Sequence, residues 1–394
     1  MVEEEPPARL PQAEWTARAD LARLVAALGS GHARYVGGAV RDTLLGLPVK
    51  DIDLATDLLP EEVIARLDRA GIRSVPTGIE HGTVTAVLPG GPVEITTLRH
   101  DVSTDGRRAT VAFANDWRED AARRDFTINA LYADPETGII ADWFAGLADL
   151  AARRVRFIGD ARERIREDHL RILRYFRFQA RFGSLPADEE AERACSELAA
   201  TLKGLSRERI AMELLNLLAL PDPAPAVARM AALGVLAVIL PEARADALPP
   251  LIEAETAQGI RPDAIRRLAA MLPAEPAVVE QVAARLRLST ANRKRLATAA
   301  GRSDLPGHPR SLAYWFGREE ALDRLLIAGA DIAPLRDWDI PRLPIKGGDI
   351  VARGIKAGPE VARILRAVED RWIAEGFPDE ARTRVLLDDV LREG

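Results

Sequence analysis

Strand-forming sequence ends near residue 160, and almost everything after it reads as helix. A chain of that kind cannot be a sandwich, a barrel or an alternating βαβ array, because each of those needs strands throughout. The expected fold is therefore α+β, with a small mixed head over residues 1–155 and a long α-helical remainder. In the head, Asp20 to Leu28 reads as a helix stopped by Gly29. Arg34-Tyr35-Val36 reads as a short strand running into Gly37-Gly38, with a helix starting directly afterwards over Ala39 to Leu45. Asp51 to Ala55 has the alternation of a strand, Pro60 to Ala70 is a helix, and Thr83–Leu88 with Pro92–Leu98 forms a hairpin around Pro89-Gly90-Gly91. Beyond residue 160, Arg162 to Phe182 reads as one long helix stopped by Gly183. Helices over Glu189–Leu202, Arg207–Leu220, Ala224–Leu233 and Pro359–Glu375 follow.

Three clusters carry chemistry. Glycines at a strand-to-helix turn, Gly37 and Gly38, let backbone N–H groups approach an anion. Arg41, one turn into the following helix, can add a charge-assisted bond to a triphosphate. Nine residues after Asp42 comes Asp51, with Asp53 behind it. Positions two apart on a strand share a face, and two carboxylates there repel unless a cation lies between them. Mg²⁺ favours one or two carboxylates plus phosphate oxygens, and two such ions can clamp the attacking and leaving oxygens of a phosphoryl transfer. An Asp-x-Asp alone is usually a surface pair; its place behind a Gly-Gly turn gives it weight. Glu94 lies on a strand able to neighbour the pair and is the candidate third carboxylate, the bland alternative being a solvent-facing residue. In the second cluster, Arg123-Arg124-Asp125-Phe126-Thr127-Ile128-Asn129, Arg124 is a candidate for nucleotide phosphates, with Asp125 and Asn129 positioning the sugar or the helix.

The third cluster runs from Glu167 to Phe178. Asp168, Arg171, Arg174 and Arg177 recur every three residues, while Leu170, Leu173, Phe176 and Ala180 occupy the opposite half of the helix. Phe178 breaks the pattern by falling on the polar arc. Arginines at this spacing are usually a solvated face. Here an acid precedes them, and a carboxylate can accept from the exocyclic amino group of C or A while a guanidinium donates to the adjacent ring acceptors. U and G carry a carbonyl where the amino group would be, so such a pair can select C and A without a template.

Together the clusters resemble the class II tRNA nucleotidyltransferase and bacterial poly(A) polymerase family. The resemblance covers nearly the whole chain. It implies a DNA polymerase beta-like nucleotidyltransferase head (1–155), a helical neck with the base-reading motif (156–222), a helical body (223–330) and a tail that contacts tRNA (331–394). Gly37 to Asp42 with Asp51 and Asp53 matches the family's triphosphate and metal motif, Arg123 to Ala130 its ribose and phosphate motif, and Glu167-Asp168-His169-Leu170-Arg171 its amino-acid template for the incoming base. His169 stands where the family has proline. Ser206 to Asn216 loosely resembles a later neck motif, and Leu343 to Ile350 followed by Gly358-Pro359 resembles a tail segment. The implied activity is addition of C, C and A to tRNA 3′ ends from CTP and ATP with Mg²⁺. Asp51, Asp53 and Glu94 would be catalytic, with Asp51 and Asp53 holding metal. Gly37, Gly38, Arg41, Arg124, Asp125, Asn129, Asp168, Arg171, Arg174 and Arg177 would bind the nucleotide. Gly78–Thr83 and Glu94–Arg99 are similar to CCA-adding members, and Asp101 to Arg118 resembles the flexible loop that CC-adding members have shortened. Polyadenylating members carry a basic Gly-Arg-Arg-Phe element that has no counterpart there.

A net charge of −6 argues by itself against a nucleic-acid binder, but its distribution argues otherwise. Residues 151–181 hold ten Arg against four acidic residues, and residues 281–310 hold seven basic residues against one acidic, patches able to follow a phosphate backbone. A single cysteine excludes a disulfide framework, and the longest apolar run, Met230 to Leu240, is too short for a bilayer. A cytoplasmic protein without a membrane or protein partner is expected. Alternatives remain: a poly(A) polymerase or A-adding enzyme of the same family, a non-catalytic RNA-binding helical protein, or a small-molecule nucleotidyltransferase. The last would need neither base-reading helix nor basic patches.

Overall fold

The computed structural model describes residues 7–104, 109–114, 116–301 and 308–393. The chain divides into two compact units, Met1–Pro241 and Glu242–Gly394. Helices that the sequence reading gives to the body from residue 223 onward thus begin inside the first unit.

In the first unit, α1 (Ala19–Leu28), β1 (Ala33–Val36), α2 (Gly38–Leu44), β2 (Ile52–Thr56), α3 (Pro60–Arg69), β3 (Ser74–Gly78), β4 (Thr83–Leu88) and β5 (Gly91–Thr97) follow the sequence expectation closely apart from β3. Proline at the first turn of α3 and Glu62, which accepts from the Leu59 N–H at 3.0 Å, start that helix where the pattern placed it. Next come β6 (Arg99–Thr104), β7 (Ala109–Phe113), α4 (Trp117–Ala122), β8 (Leu131–Ala133), β9 (Ile140–Asp142) and α5 (Gly146–Ala151). The main sheet runs β3-β4-β5-β2-β1-β8-β9, and β6 and β7 form a separate antiparallel ribbon. All pairings in the main sheet are antiparallel except β2 with β5, whose parallel register sets Asp53 beside Glu94. The stretch 101–118, read from sequence as a loop, is therefore in large part this ribbon, paired from Arg99↔Phe113 to Thr104↔Ala109.

The helical part of the first unit is α6 (Ala161–Glu167), α7 (Arg171–Phe182), α8 (Glu189–Glu197), α9 (Arg207–Leu218), α10 (Ala224–Ala232) and α11 (Val235–Ile239). The single helix expected over 162–182 is two. Asp168 sits between them in an extended conformation, φ −149° and ψ 104°, and its carboxylate accepts from the Leu170 N–H at 3.1 Å. A short acidic side chain that competes for backbone donors in this way breaks a helix and caps the next. Asp168 and Arg171 are thus not on one helical face. Phe178, which seemed out of place on a polar arc, is buried against Phe126 at a ring separation of 4.9 Å. It joins an aromatic core of Phe126, Phe157 and Tyr175 that fastens α7 to the head.

The second unit is helical: α12 (Leu248–Ala257), α13 (Ala264–Met271), α14 (Pro276–Arg285), α15 (Thr290–Ala300), α16 (Pro309–Phe316), α17 (Arg318–Ile327), α18 (Gly347–Val351), α19 (Pro359–Ala374) and α20 (Glu380–Glu393). One core gathers around Leu312, Leu325 and Leu335, another around Trp372, Val368 and Leu387. Arg266 and Arg267 are buried on Glu255, with Arg266 and Arg295 also pairing with Asp323. Among the described residues, no helix is long and apolar enough to cross a membrane.

Candidate active site

The edge between β2 and β5 gathers the acids. Asp53 is half-buried on β2, Glu94 is its exposed register partner on β5, and Asp51 is exposed immediately before β2 rather than on it. Burial first, then the neighbouring Glu94, push the Asp53 carboxyl above the usual carboxylate range; Arg124 pulls it down and Asp51 adds to the rise. An acid raised by burial and by neighbouring acids is a place where positive charge is wanted. The donors are all hard oxygens, which suits a divalent cation such as magnesium. Among the described residues, no group of three His, Cys, Asp or Glu side chains forms a ready-made metal cage.

Gly37 sits at φ 68°, a left-handed conformation that suits glycine. A Cβ there would lie 3.3 Å from Arg124 Nη1, so a larger residue would press on that guanidinium. Arg124 donates to the Tyr132 hydroxyl at 2.9 Å and to Asp120 at 3.4 Å. Burial works against its charge, but Tyr132, Asp120 and Asp53 outweigh that and hold its pKa above the ordinary value. Asp120, only 1% exposed, also accepts from Arg123 at 2.8 Å, from the Arg99 N–H at 3.2 Å and from Tyr132. It fixes Arg124 and was not singled out in the sequence. The signal was there: an acid three and four residues before adjacent arginines on a helix.

Arg41 is buried, and burial lowers its pKa. Its guanidinium is bonded to Asp42 and Asn129 and lies 4.0 Å from the Phe182 ring centroid. It therefore braces the turn against the neck. Asn129 donates to Asp125 at 2.9 Å, and Asp125 takes Arg174 Nε at 2.8 Å. Arg177 Nε donates to Glu213 at 2.6 Å, and Glu213 is 3.8 Å from Arg174. Asp168 accepts from Arg209 at 2.8 Å, whereas Arg171 is paired with Glu167. Asp168 and Arg171, expected to read the base together, are thus each held by a separate counter-ion. Arg209 and Glu213 on α9 supply or anchor the partners, and sequence reasoning missed both. They stand one helical turn apart, within the segment whose family likeness was loose.

The Asp125 pair yields a prediction. Burial pushes Asp125 up, but Arg174 and Asn129 more than offset it and hold the carboxyl below its usual range. With a depressed folded-state pKa, the stabilisation is present above the unfolded value and is lost as pH falls through the folded one. Asp125→Asn should destabilise the neutral protein by about 2 kcal/mol, less than a fully buried pair, because Arg174 keeps 32% of its side chain exposed. Melting curves at several pH values check this: the variant should lose stability less steeply in acid than the parent.

The chain matches two family models, one described as the poly A polymerase head domain over residues 33–156 and one as a probable RNA and SrmB-binding site of polymerase A over residues 187–246. It is 36% identical over 367 residues to the mitochondrial CCA tRNA nucleotidyltransferase 1 of Homo sapiens, spanning 88% of this chain and 84% of the relative. It is 37% identical to the Danio rerio protein of the same name over 358 residues, 86% of this chain and 83% of the relative. The chain belongs to the CCA-adding enzyme and poly(A) polymerase family. The crystal structure of the Bacillus stearothermophilus CCA-adding enzyme in complex with CTP superposes with a TM-score of 0.75 at 28% identity, covering 95% of this chain and 98% of that one. The α+β expectation and the likeness drawn from the three motifs agree with these findings.

Proposed function

We propose that this chain is a tRNA nucleotidyltransferase that adds C, C and A to tRNA 3′ ends from CTP and ATP. The observation that carries the chemistry is the parallel register that sets Asp53 beside Glu94, with Arg124 in electrostatic reach. The choice of CCA addition over polyadenylation rests on the vertebrate relatives and on the Gly78–Thr83 and Glu94–Arg99 segments. Asp51 and Asp53 would hold a divalent cation, Mg²⁺ on hard-ligand grounds, with Glu94 as third carboxylate. The cation, or a pair of them, supplies charge neutralisation at the reacting phosphate and favours ionisation of the RNA 3′-hydroxyl. Arg124 binds phosphate over the Gly37-Gly38 turn, while Arg41, Asp125 and Asn129 hold that turn and the sugar side of the pocket. Asp168 accepts from the amino group of C or A, and Arg171 donates to the ring. Arg174 and Arg177, held by Asp125 and Glu213, stiffen the pocket wall behind them. The basic stretches support tRNA as the acceptor, and 331–394 remains the proposed tRNA-contacting tail. The chain's single cysteine, Cys195, is buried and favours a reducing compartment, and the cytoplasm is the proposed location. The test is incubation of tRNA lacking its 3′ end with labelled CTP and ATP, read as product length on a gel. Growth by three nucleotides supports the reading, and a long A-only ladder replaces it with polyadenylation.

C and A differ in size and in acceptor placement, so one pocket must readjust between them. The segment Asp101 to Arg118, which includes much of the β6–β7 ribbon, is the proposed lever. Its candidate handles, Arg107 and Arg108, lie outside the described residues. Excising residues 104–110 should leave addition of two C residues largely intact and stop the final A. Full CCA synthesis at normal rate by the deletion would exclude the lever.

A further inference from the structure

The base-reading helix pair and the phosphate-binding segment meet at one peptide. Arg164, on α6 with its side chain 10% exposed, donates through Nη2 to the carbonyl oxygens of Arg123 and of Arg124, the latter at 2.7 Å. Through Nη1 it donates to Glu167 at 2.8 Å. Glu167 also receives Arg171 from the start of α7. Arg171 Nη1 donates to the Arg164 carbonyl at 2.8 Å, and its Nη2 donates to the Arg123 carbonyl at 3.2 Å. Two guanidiniums, one from each side of the Asp168 break, therefore hold the backbone just before the Arg124 side chain and share a single carboxylate.

We propose that Arg164 is a positioning residue that makes the rate of nucleotide transfer depend on which base is bound. The proposal rests on the base-reading and phosphate roles given above to Arg171 and Arg124. Continuous contacts run from Arg171 through Glu167 and Arg164 to the peptide of Arg123 and Arg124, and from the Arg124 guanidinium to the field at Asp53. A base whose ring nitrogen is a hydrogen-bond acceptor, as in C or A but not in U, draws Arg171 away from Glu167 and from the Arg123 carbonyl. Arg164 is then left as the main tie on that peptide, and its own hold on Glu167 tightens as the competing cation leaves. The backbone carrying Arg124 takes the position set by Arg164 alone. A base without the acceptor leaves Arg171 in place and the peptide under both ties. Packing alone would not require the tie to pass through the arginine that meets the base. Because misplacement of a phosphate-binding group by about 1 Å can cost about 100-fold in rate, discrimination would appear in the maximal rate as well as in affinity.

The test compares single-turnover addition of CTP and of UTP to tRNA lacking its 3′ end, each over a full range of nucleotide concentration. The variants are Arg164→Lys, which keeps the charge but cannot span both carbonyls and the acid, and Glu167→Gln, which unlinks the two arginines without touching the 123–124 peptide. In each, the ratio of maximal rates for CTP over UTP should narrow by about tenfold, while the ratio of half-saturating concentrations stays within about twofold. Equal loss of both maximal rates in both variants would make Arg164 a merely structural residue and overturn the proposal. So would a change confined to the half-saturating concentrations. Should Arg164→Lys melt below the assay temperature, Glu167→Gln alone decides by the same criteria. If the parent enzyme itself shows no preference for CTP over UTP, the base-reading role fails and takes this proposal with it. If the parent is selective and only the narrowing is missing, this proposal alone fails.

Discussion

Asp53→Ala should lose nucleotide transfer by about 10³-fold or more, the scale on which a single electrostatic stabiliser acts in transfer chemistry, while tRNA affinity changes little. The acid stands at the one parallel pairing of the main sheet, with Glu94 as register partner and Arg124 in electrostatic reach. Phosphate contacts elsewhere on the protein would carry most of the RNA affinity. Rapid-quench rates with Mg²⁺ and filter binding of tRNA separate the two quantities. Near-normal turnover would remove Asp53 from the chemistry altogether. The same position gives a stability signature. Burial first, then Glu94 and Asp51, disfavour a charge at Asp53 more than Arg124 favours it, so in the presence of a chelator Asp53→Asn should melt higher than the parent. A variant that is more stable and inactive is what a site built for a cation requires.

Asp168→Ala should have the second-largest effect, and it should fall on selectivity. Losing a buried contact to a base edge costs about 1–3 kcal/mol of discrimination, or about 5- to 150-fold between right and wrong nucleotide. UTP and GTP should therefore be incorporated more readily relative to CTP and ATP. The structure adds a control, because Asp168 is aimed by Arg209 at 2.8 Å. Arg209→Lys, which retains a cation but not the planar fork, should shift selectivity in the same direction by a smaller factor. Competition assays with mixed nucleotides on one tRNA read both. Unchanged selectivity in Asp168→Ala would place base reading elsewhere in the chain.

Much of this was legible in the sequence because the features are local. The Gly37-Gly38 turn, the helix behind it, the hairpin at Pro89-Gly90-Gly91 and Pro60 at a helix start follow from neighbouring residues, and the structure has them within a residue or two. Several strands went unseen: β8 and β9 have three residues each, β3 carries Pro76 on the outer edge of the sheet, where a missing donor is tolerated, and β6 and β7 lie in a polar, charged stretch that reads as loop. The helix over 162–182 was drawn as one because its apolar spacing is continuous; a carboxylate bonded to a nearby N–H breaks a helix without disturbing that spacing. Ion pairs were the least legible. Arg174, Arg177 and Asp168 read as free to meet a nucleotide, yet their partners lie 49, 36 and 41 residues away in sequence. Nothing in a linear pattern announces such a partner.

One boundary deserves a different kind of attention from anyone building chimaeras. Similarity to the polymerase head stops at residue 156, which invites cutting there and grafting the head onto another helical scaffold. Such a cut would separate Asp125 from Arg174 and would strip Phe126 of Tyr175 and Phe178. The transplanted head would carry an unneutralised acid and an uncovered aromatic surface. A working chimaera should accordingly move head and neck helices as a single cassette, with the cut placed beyond α7.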